Sequence, residues 1–248
     1  MLSTSRIVQA VGRRAKAARE FMRRQTLPYM VRQTWAKVRA EHLSYSSDAQ
    51  LLQLISNVRA TAASGALIIE AGCARGGSAI LMCAMKSHER PLRIYDVFDM
   101  IPPPSEHDGE DMKRRYKEIA SGKAVGLSGT RYYLYEDDMQ AMVEGNFRRL
   151  GFPIGDHNVK LIKGKVQDTL VVDEPVALAN IDVDWYEPVT ACLERIMPHL
   201  IVGGSLAIRA YSDWSGSRKA VDAYFARTGR DGLAFDSSAD HLLVTRVR

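Results

Sequence analysis

Glu70, Gly72 and the pair Gly76-Gly77 follow directly on the apolar run Ala66-Leu67-Ile68-Ile69 and precede a second apolar series, Ala79-Ile80-Leu81. A short, branched apolar run suits a parallel strand buried on both faces. A strand, a glycine-rich turn and a helix start together let backbone N–H groups approach a ligand closely. An ordinary tight turn has the same composition, so this stretch implies a nucleotide-type pocket without deciding whether its ligand carries phosphate. Asp96 adds to that implication. It ends the strand-like run Pro91–Tyr95, about 20 residues past the glycines, where nucleotide folds place a ribose-binding carboxylate.

Two other groups could carry chemistry. The segment Asp182-Val183-Asp184-Trp185-Tyr186-Glu187 clusters three acids at the end of an apolar run, and His107 lies in the polar stretch that follows Ile101-Pro102-Pro103-Pro104. Proline excludes helix and central strand there, so 101–108 reads as a long exposed loop placed like a lid at the carboxyl end of a strand. A loop histidine is a candidate base, and equally a solvated side chain.

Elements must position these residues. Strands are expected at 66–69, 91–95, 159–162, 176–182, 205–208, 233–235 and 241–247. Helices are expected over 31–39, 49–60 (capped by Ser47 or Asp48), 78–86, 109–120, 136–150, 189–197 and 215–227. Five strands alternating with helices, then two consecutive strands, indicate an α/β fold with a mostly parallel, seven-stranded sheet and an antiparallel end.

Composition narrows the class. The 248 residues contain 46% hydrophobic residues and no apolar run near the roughly 18 residues that a membrane-spanning helix needs. Cys73, Cys83 and Cys192 are odd in number and have no zinc spacing, so reduced cysteines and a cytoplasmic location are expected. Residues 1–40 hold ten basic side chains and one acid, Glu20, a charge of +9, so the other 208 residues carry −4 within the chain's net +5. The basic character therefore belongs to the N-terminal segment, which argues against a broad nucleic-acid-binding face. That segment shows helical apolar spacing from Ser5 to Arg24 with arginines interleaved. It could pack on a partner subunit, cap the site or rest on an anionic membrane surface. Residues 1–40 are accordingly expected as a basic helical segment and 41–248 as the main domain.

The motifs together resemble one family. EAGCARGGSAI at 70–80, VEGNFRRLGF at 143–152, VKLIKGKVQDTL at 159–170, IDVDWYEPV at 181–189 and GSRKAVDAYF at 216–225 are similar, in order, to signatures of the macrocin-type O-methyltransferases. These are sugar O-methyltransferases that use S-adenosylmethionine and have a Rossmann-like fold. The similarity covers about residues 42–228. It implies that Glu70, Gly72, Arg75, Gly76, Gly77 and Ser78 form the methionine end of the cofactor pocket. It further implies that Asp96 holds the ribose, and that Gln167 and Asp168 lie on the adenine side. S-adenosylmethionine carries no phosphate, which suits a glycine turn without a phosphate-loop lysine. The implied partners are a small hydroxylated acceptor, a sugar or glycosylated natural product, and further copies of the chain.

One departure matters. The family resemblance implies a magnesium ion held by Asp182 and by two adjacent acids after the fifth strand. Here GGSLAI is followed by Arg209-Ala210-Tyr211. Magnesium needs oxygen ligands with carboxylates to offset its charge, so weak or no magnesium binding is expected. Methyl transfer still requires a positioned acceptor and removal of its proton. Asp182 is then free to act as general base and Arg209 to orient the acceptor, with His107 a second base candidate. Asp213 would be a metal ligand only if the alignment slips. Methylation of nitrogen on the same fold, or a relative that binds without turnover, are the alternatives.

Overall fold

The computed structural model describes residues 18–248; the expected helix from Ser5 to Arg24 lies mostly outside the described residues. Residues 18–25 are helical, and α1 follows at Tyr29–Ala40. Pro28 separates them by supplying no N–H and a fixed φ. Next come α2 (Asp48–Ala60), β1 (Leu67–Ala71), α3 (Gly77–Met85), β2 (Leu92–Asp96), α4 (Glu110–Ala120), α5 (Met139–Arg149) and β3 (Val159–Lys163). The chain continues through the short α6 (Val166–Thr169), β4 (Val176–Ile181), α7 (Tyr186–Ile196) and β5 (Leu200–Ile208). It closes with α8 (Ser215–Thr228), β6 (Leu233–Asp236) and β7 (Leu242–Arg246).

The seven strands lie in the order β3-β2-β1-β4-β5-β7-β6. The first five are mutually parallel, and β7 runs antiparallel between β5 and β6. Strand periodicity divides β1 between two layers. Ile68 packs with Val31, Trp35 and Val38 of α1, Leu51 and Ile55 of α2 and Ile80 of α3. Leu67, Ile69 and Ala71 face Val189, Leu193 and Ile196 of α7 and Val221 and Phe225 of α8. Continuous apolar strands are what a sheet covered on both faces requires.

The layer on the first face begins before residue 40. Trp35 is 1% exposed within that core. Arg24 and Arg39 lie over its ring at 5.8 and 5.7 Å, and both pair with Asp48 at the start of α2. Residues 24–39 and the start of α2 therefore share one packed layer. Helix α2 starts with a capping box: Ser47 accepts from Gln50 N while the Gln50 side chain accepts from Ser47 N.

The boundaries move where backbone chemistry is unusual. β5 begins at Leu200, five residues before the expected start, because Gly203 takes φ +82° and the strand continues past the irregularity. α7 begins at Tyr186, before Pro188, since a proline in the first helical turn forfeits no intrahelical hydrogen bond. Among the described residues no helix is long and apolar enough to cross a membrane.

Candidate active site

The carboxyl ends of β1, β2, β4 and β5 bring Glu70, Asp96, Asp182 and Arg209 to one edge of the sheet. Ligands bind at that edge in open α/β sheets. A cleft there encloses about 940 Å³ between atoms, solvent at its mouth included. Its wall includes Gly72, Asp96, Gln167, Asp182, Asp184 and Tyr133.

The glycine turn is built for close approach. Gly72 has φ +83°, and a Cβ there would meet the Asp182 carbonyl oxygen at 2.4 Å. Gly76 occupies the left-handed region at φ +86°, and a Cβ on Gly77 would meet the Leu43 carbonyl oxygen at 2.5 Å. Arg75 points away, donating to the Arg131 carbonyl at 2.9 Å and pairing with Glu136 at 3.2 Å.

Glu70 is fully buried. Its Oε1 accepts from Ser78 Oγ and from Asn180 Nδ2, whereas Oε2 has no hydrogen-bond partner among the described residues. Burial raises its pKa to about 8, although the Ser78 hydroxyl works in the opposite direction. Asp96 is more fully engaged: Oδ2 accepts from Cys73 N at 2.8 Å and Oδ1 from Phe98 N at 2.9 Å. Each oxygen retains a second lone pair.

On the other side of Gly72, Arg209 Nη1 donates to Asp182 Oδ1 at 2.9 Å. Burial drives the Asp182 carboxyl upward; Arg209 opposes that rise without cancelling it. Arg209 is held fully charged by Asp182, and its buried Nε has no hydrogen-bond partner among the described residues. Asp184 accepts no side-chain or backbone hydrogen bond among the described residues, and burial followed by the Asp182 charge lifts its pKa to about 7. The Tyr133 hydroxyl is pushed well above its usual range by burial, then by Tyr132 and the carboxylates of Asp96, Asp184 and Asp182.

The proline loop is docked onto this wall and is not the freely exposed loop expected. The Trp185 indole donates to the Pro102 carbonyl at 2.8 Å. Asp108, 3% exposed, accepts from Ser105 N and from Tyr186 N, both at 2.8 Å. His107 lies on the outside of this loop, exposed, with its ring 4.8 Å from that of Tyr186. Gln167 reaches the cleft, but exposed Asp168 lines a separate depression with Leu170 and Arg195. Asp213 is also exposed and lines a different hollow beside Trp214. Tyr133, Asp108 and Trp185 are site residues that spacing did not single out. The tyrosine-rich run 132–135 was the clearest signal for Tyr133.

The described residues hold no group of three or more His, Cys, Asp or Glu side chains arranged for a metal ion.

Comparison with known proteins agrees with this architecture. Residues 47–231 match the macrocin O-methyltransferase (TylF) family model. A curated relative from Streptomyces olivaceus, 8-demethyl-8-(2,3-dimethoxy-α-L-rhamnosyl)-tetracenomycin-C 4'-O-methyltransferase, is 29% identical over 209 residues, 82% of this chain and 74% of the relative. Among solved structures, the O-methyltransferase NovP superposes with a TM-score of 0.66 at 22% identity, covering 82% of this chain and 81% of NovP. The calicheamicin methyltransferase CalS11 superposes at 0.59 and 17% identity, covering 92% and 90%. The Podospora anserina methyltransferase PaMTH1, bound to S-adenosylhomocysteine, superposes at 0.57 and 16% identity, covering 96% of each chain. These structural likenesses share the seven-stranded Rossmann-like methyltransferase fold. With three quarters of its length matched in sequence and its acids gathered at the ligand edge, the chain belongs to the macrocin O-methyltransferase family and is a methyltransferase.

Proposed function

We propose that the protein transfers the methyl group of S-adenosylmethionine to a sugar hydroxyl, on a glycosylated natural product or surface glycan, without magnesium on the acceptor side. The observation that carries this reading is the pairing of Asp182 with Arg209 beside Gly72, where the donor and acceptor halves of the cleft meet.

The donor pocket fits the cofactor. Glu70 offers a buried carboxyl oxygen with no hydrogen-bond partner among the described residues, suited to an ammonium group. Gly72, Gly76, Gly77 and Ser78 form the methionine end around it, with Arg75 bracing the turn through Glu136. Asp96 has lone pairs left for ribose hydroxyls, and Gln167 with Val97 and Ile101 provides an amide and an apolar wall for adenine. Asp168 and His107 face elsewhere and take no part. When bound, S-adenosylmethionine supplies a methyl carbon bonded to a positively charged sulfur.

The acceptor side holds and moves a proton. Asp182 acts as general base: Arg209 fixes Oδ1, leaving Oδ2 for the proton of the acceptor hydroxyl. Burial makes this carboxylate more basic than a solvated one, and the guanidinium keeps it ionised and oriented. Asp184 and Tyr133 complete a polar wall for the hydroxylated ring. Magnesium does not suit this donor set, since a fixed cation already occupies the Asp182 carboxylate and the residues after β5 are Arg209-Ala210-Tyr211. The sugar acceptor is supported by the name of the Streptomyces relative, which describes 4'-O-methylation of a rhamnosyl group.

Calorimetric titration with S-adenosylmethionine tests the donor assignment, and absence of binding would overturn it. Turnover of a rhamnosylated acceptor should be equal in chelator and in added magnesium. Loss in chelator with recovery in magnesium would refute the roles given to Asp182 and Arg209.

A further inference from the structure

The N-terminal edge of the described structure carries an exposed surface of mixed apolar and basic character. Nine large hydrophobic side chains are exposed among the described residues, and four of them, Phe21, Met22, Tyr29 and Met30, fall within ten residues of chain. Their exposures run from 51% to 70%. Residues 18–40 contain six basic side chains and one acid, and residues 1–17 add Arg6, Arg13, Arg14 and Lys16 with no acid.

This surface is held in place. Arg24 stacks on Phe21 at 5.5 Å and on buried Trp35 at 5.8 Å, while reaching Asp48. Arg32 lies 5.9 Å from the Tyr29 ring centre and donates to Gln25 Oε1 at 3.0 Å. Leu27, 8% exposed, anchors the connection between the two helical segments to the core. The exposed apolar side chains are thus presented on either side of a buried point.

From this charge and exposure we infer that residues 18–30 form a docking surface for an anionic lipid bilayer. Aromatic and methionine side chains enter the headgroup boundary while surrounding arginines meet anionic headgroups. Charge complementarity favours that occupant over a second copy, which would set two strongly positive segments against each other. The exposed apolar side chains favour it over nucleic acid, whose phosphates would leave them in water. The inference is independent of which acceptor is methylated.

Vesicle sedimentation of the full chain tests it. The fraction sedimenting with phosphatidylcholine vesicles containing about 30% phosphatidylglycerol should exceed that with phosphatidylcholine alone roughly tenfold, and should fall steeply at high salt. Combined Phe21→Ser, Met22→Ser and Met30→Ser substitutions should reduce binding to anionic vesicles by roughly tenfold, while S-adenosylmethionine titration and thermal unfolding stay unchanged. If that variant does not fold, the lipid and salt dependence of the unmodified chain still decides the matter. Equal sedimentation with both vesicles would overturn the inference. So would a dimer dissolved by the triple substitution without vesicle binding, or duplex DNA binding as strong as vesicle binding and indifferent to the substitutions.

Discussion

Arg209 Nη1 stands 2.9 Å from Asp182 Oδ1, and the two residues follow directly on neighbouring parallel strands, β5 and β4. Removing the guanidinium leaves a carboxylate whose burial no longer has a charged partner. Arg209→Met should therefore lower kcat by about 100-fold and move the acid limb of the pH–rate profile upward, because Asp182 then holds its proton to higher pH. Affinity for S-adenosylmethionine should change little. An unshifted profile would remove Arg209 from the chemistry.

If Glu70 receives the donor's ammonium group as proposed, donor binding is coupled to a proton. Its pKa of about 8 lies above the ordinary carboxylate value of 4.5, so the buried group is protonated at neutral pH. An ammonium placed at Oε2 would favour the ionised form and expel that proton. Calorimetry in buffers of different ionisation enthalpy should register release of close to one proton per S-adenosylmethionine at pH 6.5, vanishing above pH 9. Glu70→Gln should abolish the release. In the ligand-free protein the sign for stability is opposite. Glu70 stabilises the fold below pH 4.5, and that contribution is lost as pH rises through about 8.

Trp185→Phe keeps the ring and removes the donor to the Pro102 carbonyl. A lost hydrogen bond of this kind costs about 1 kcal/mol. Amide exchange at residues 99–107 should quicken severalfold, and KM for the acceptor should rise more than kcat falls. Unaltered exchange there would mean that the indole bond does not hold the loop.

His241 supplies an acid-sensitive element behind the site. It is 2% exposed, its Nε2 has no hydrogen-bond partner among the described residues, and burial lowers its pKa from 6.5 to about 4. The fold binds the neutral ring, so stability is complete above pH 6.5 and declines as pH falls towards 4, by up to about 3 kcal/mol. Unfolding midpoints of His241→Gln should depend less on pH across that window than those of the unmodified chain.

The succession of strands and helices was legible because hydrophobic periodicity is a local signal that burial on both sheet faces enforces; the spatial order of the strands was not. That Glu70, Gly72, Asp96 and Asp182 lie at strand ends was legible for a related reason, since the ends of apolar runs mark where the chain leaves the sheet. Local pattern could not distinguish Gln167 from Asp168, adjacent residues of a four-residue helix that face different surfaces. It also placed His107 in the lid without knowing which way the loop would turn. Asp108, one residue on, is buried by tertiary hydrogen bonds to Ser105 and Tyr186, while His107 remains outside. The stacking of Arg24 and Arg39 on Trp35 is likewise a tertiary arrangement that the change in charge near residue 40 could not announce.

The bonds from Trp185 to Pro102 and from Asp108 to Tyr186 join the proline loop to the acidic motif as a single module. Altered acceptor preference would then arise by paired exchange of both segments, since a loop grafted alone would lose its anchors and an altered motif would release the loop. Swapping the two together is the route by which specificity could be re-engineered while the glycine turn keeps its donor.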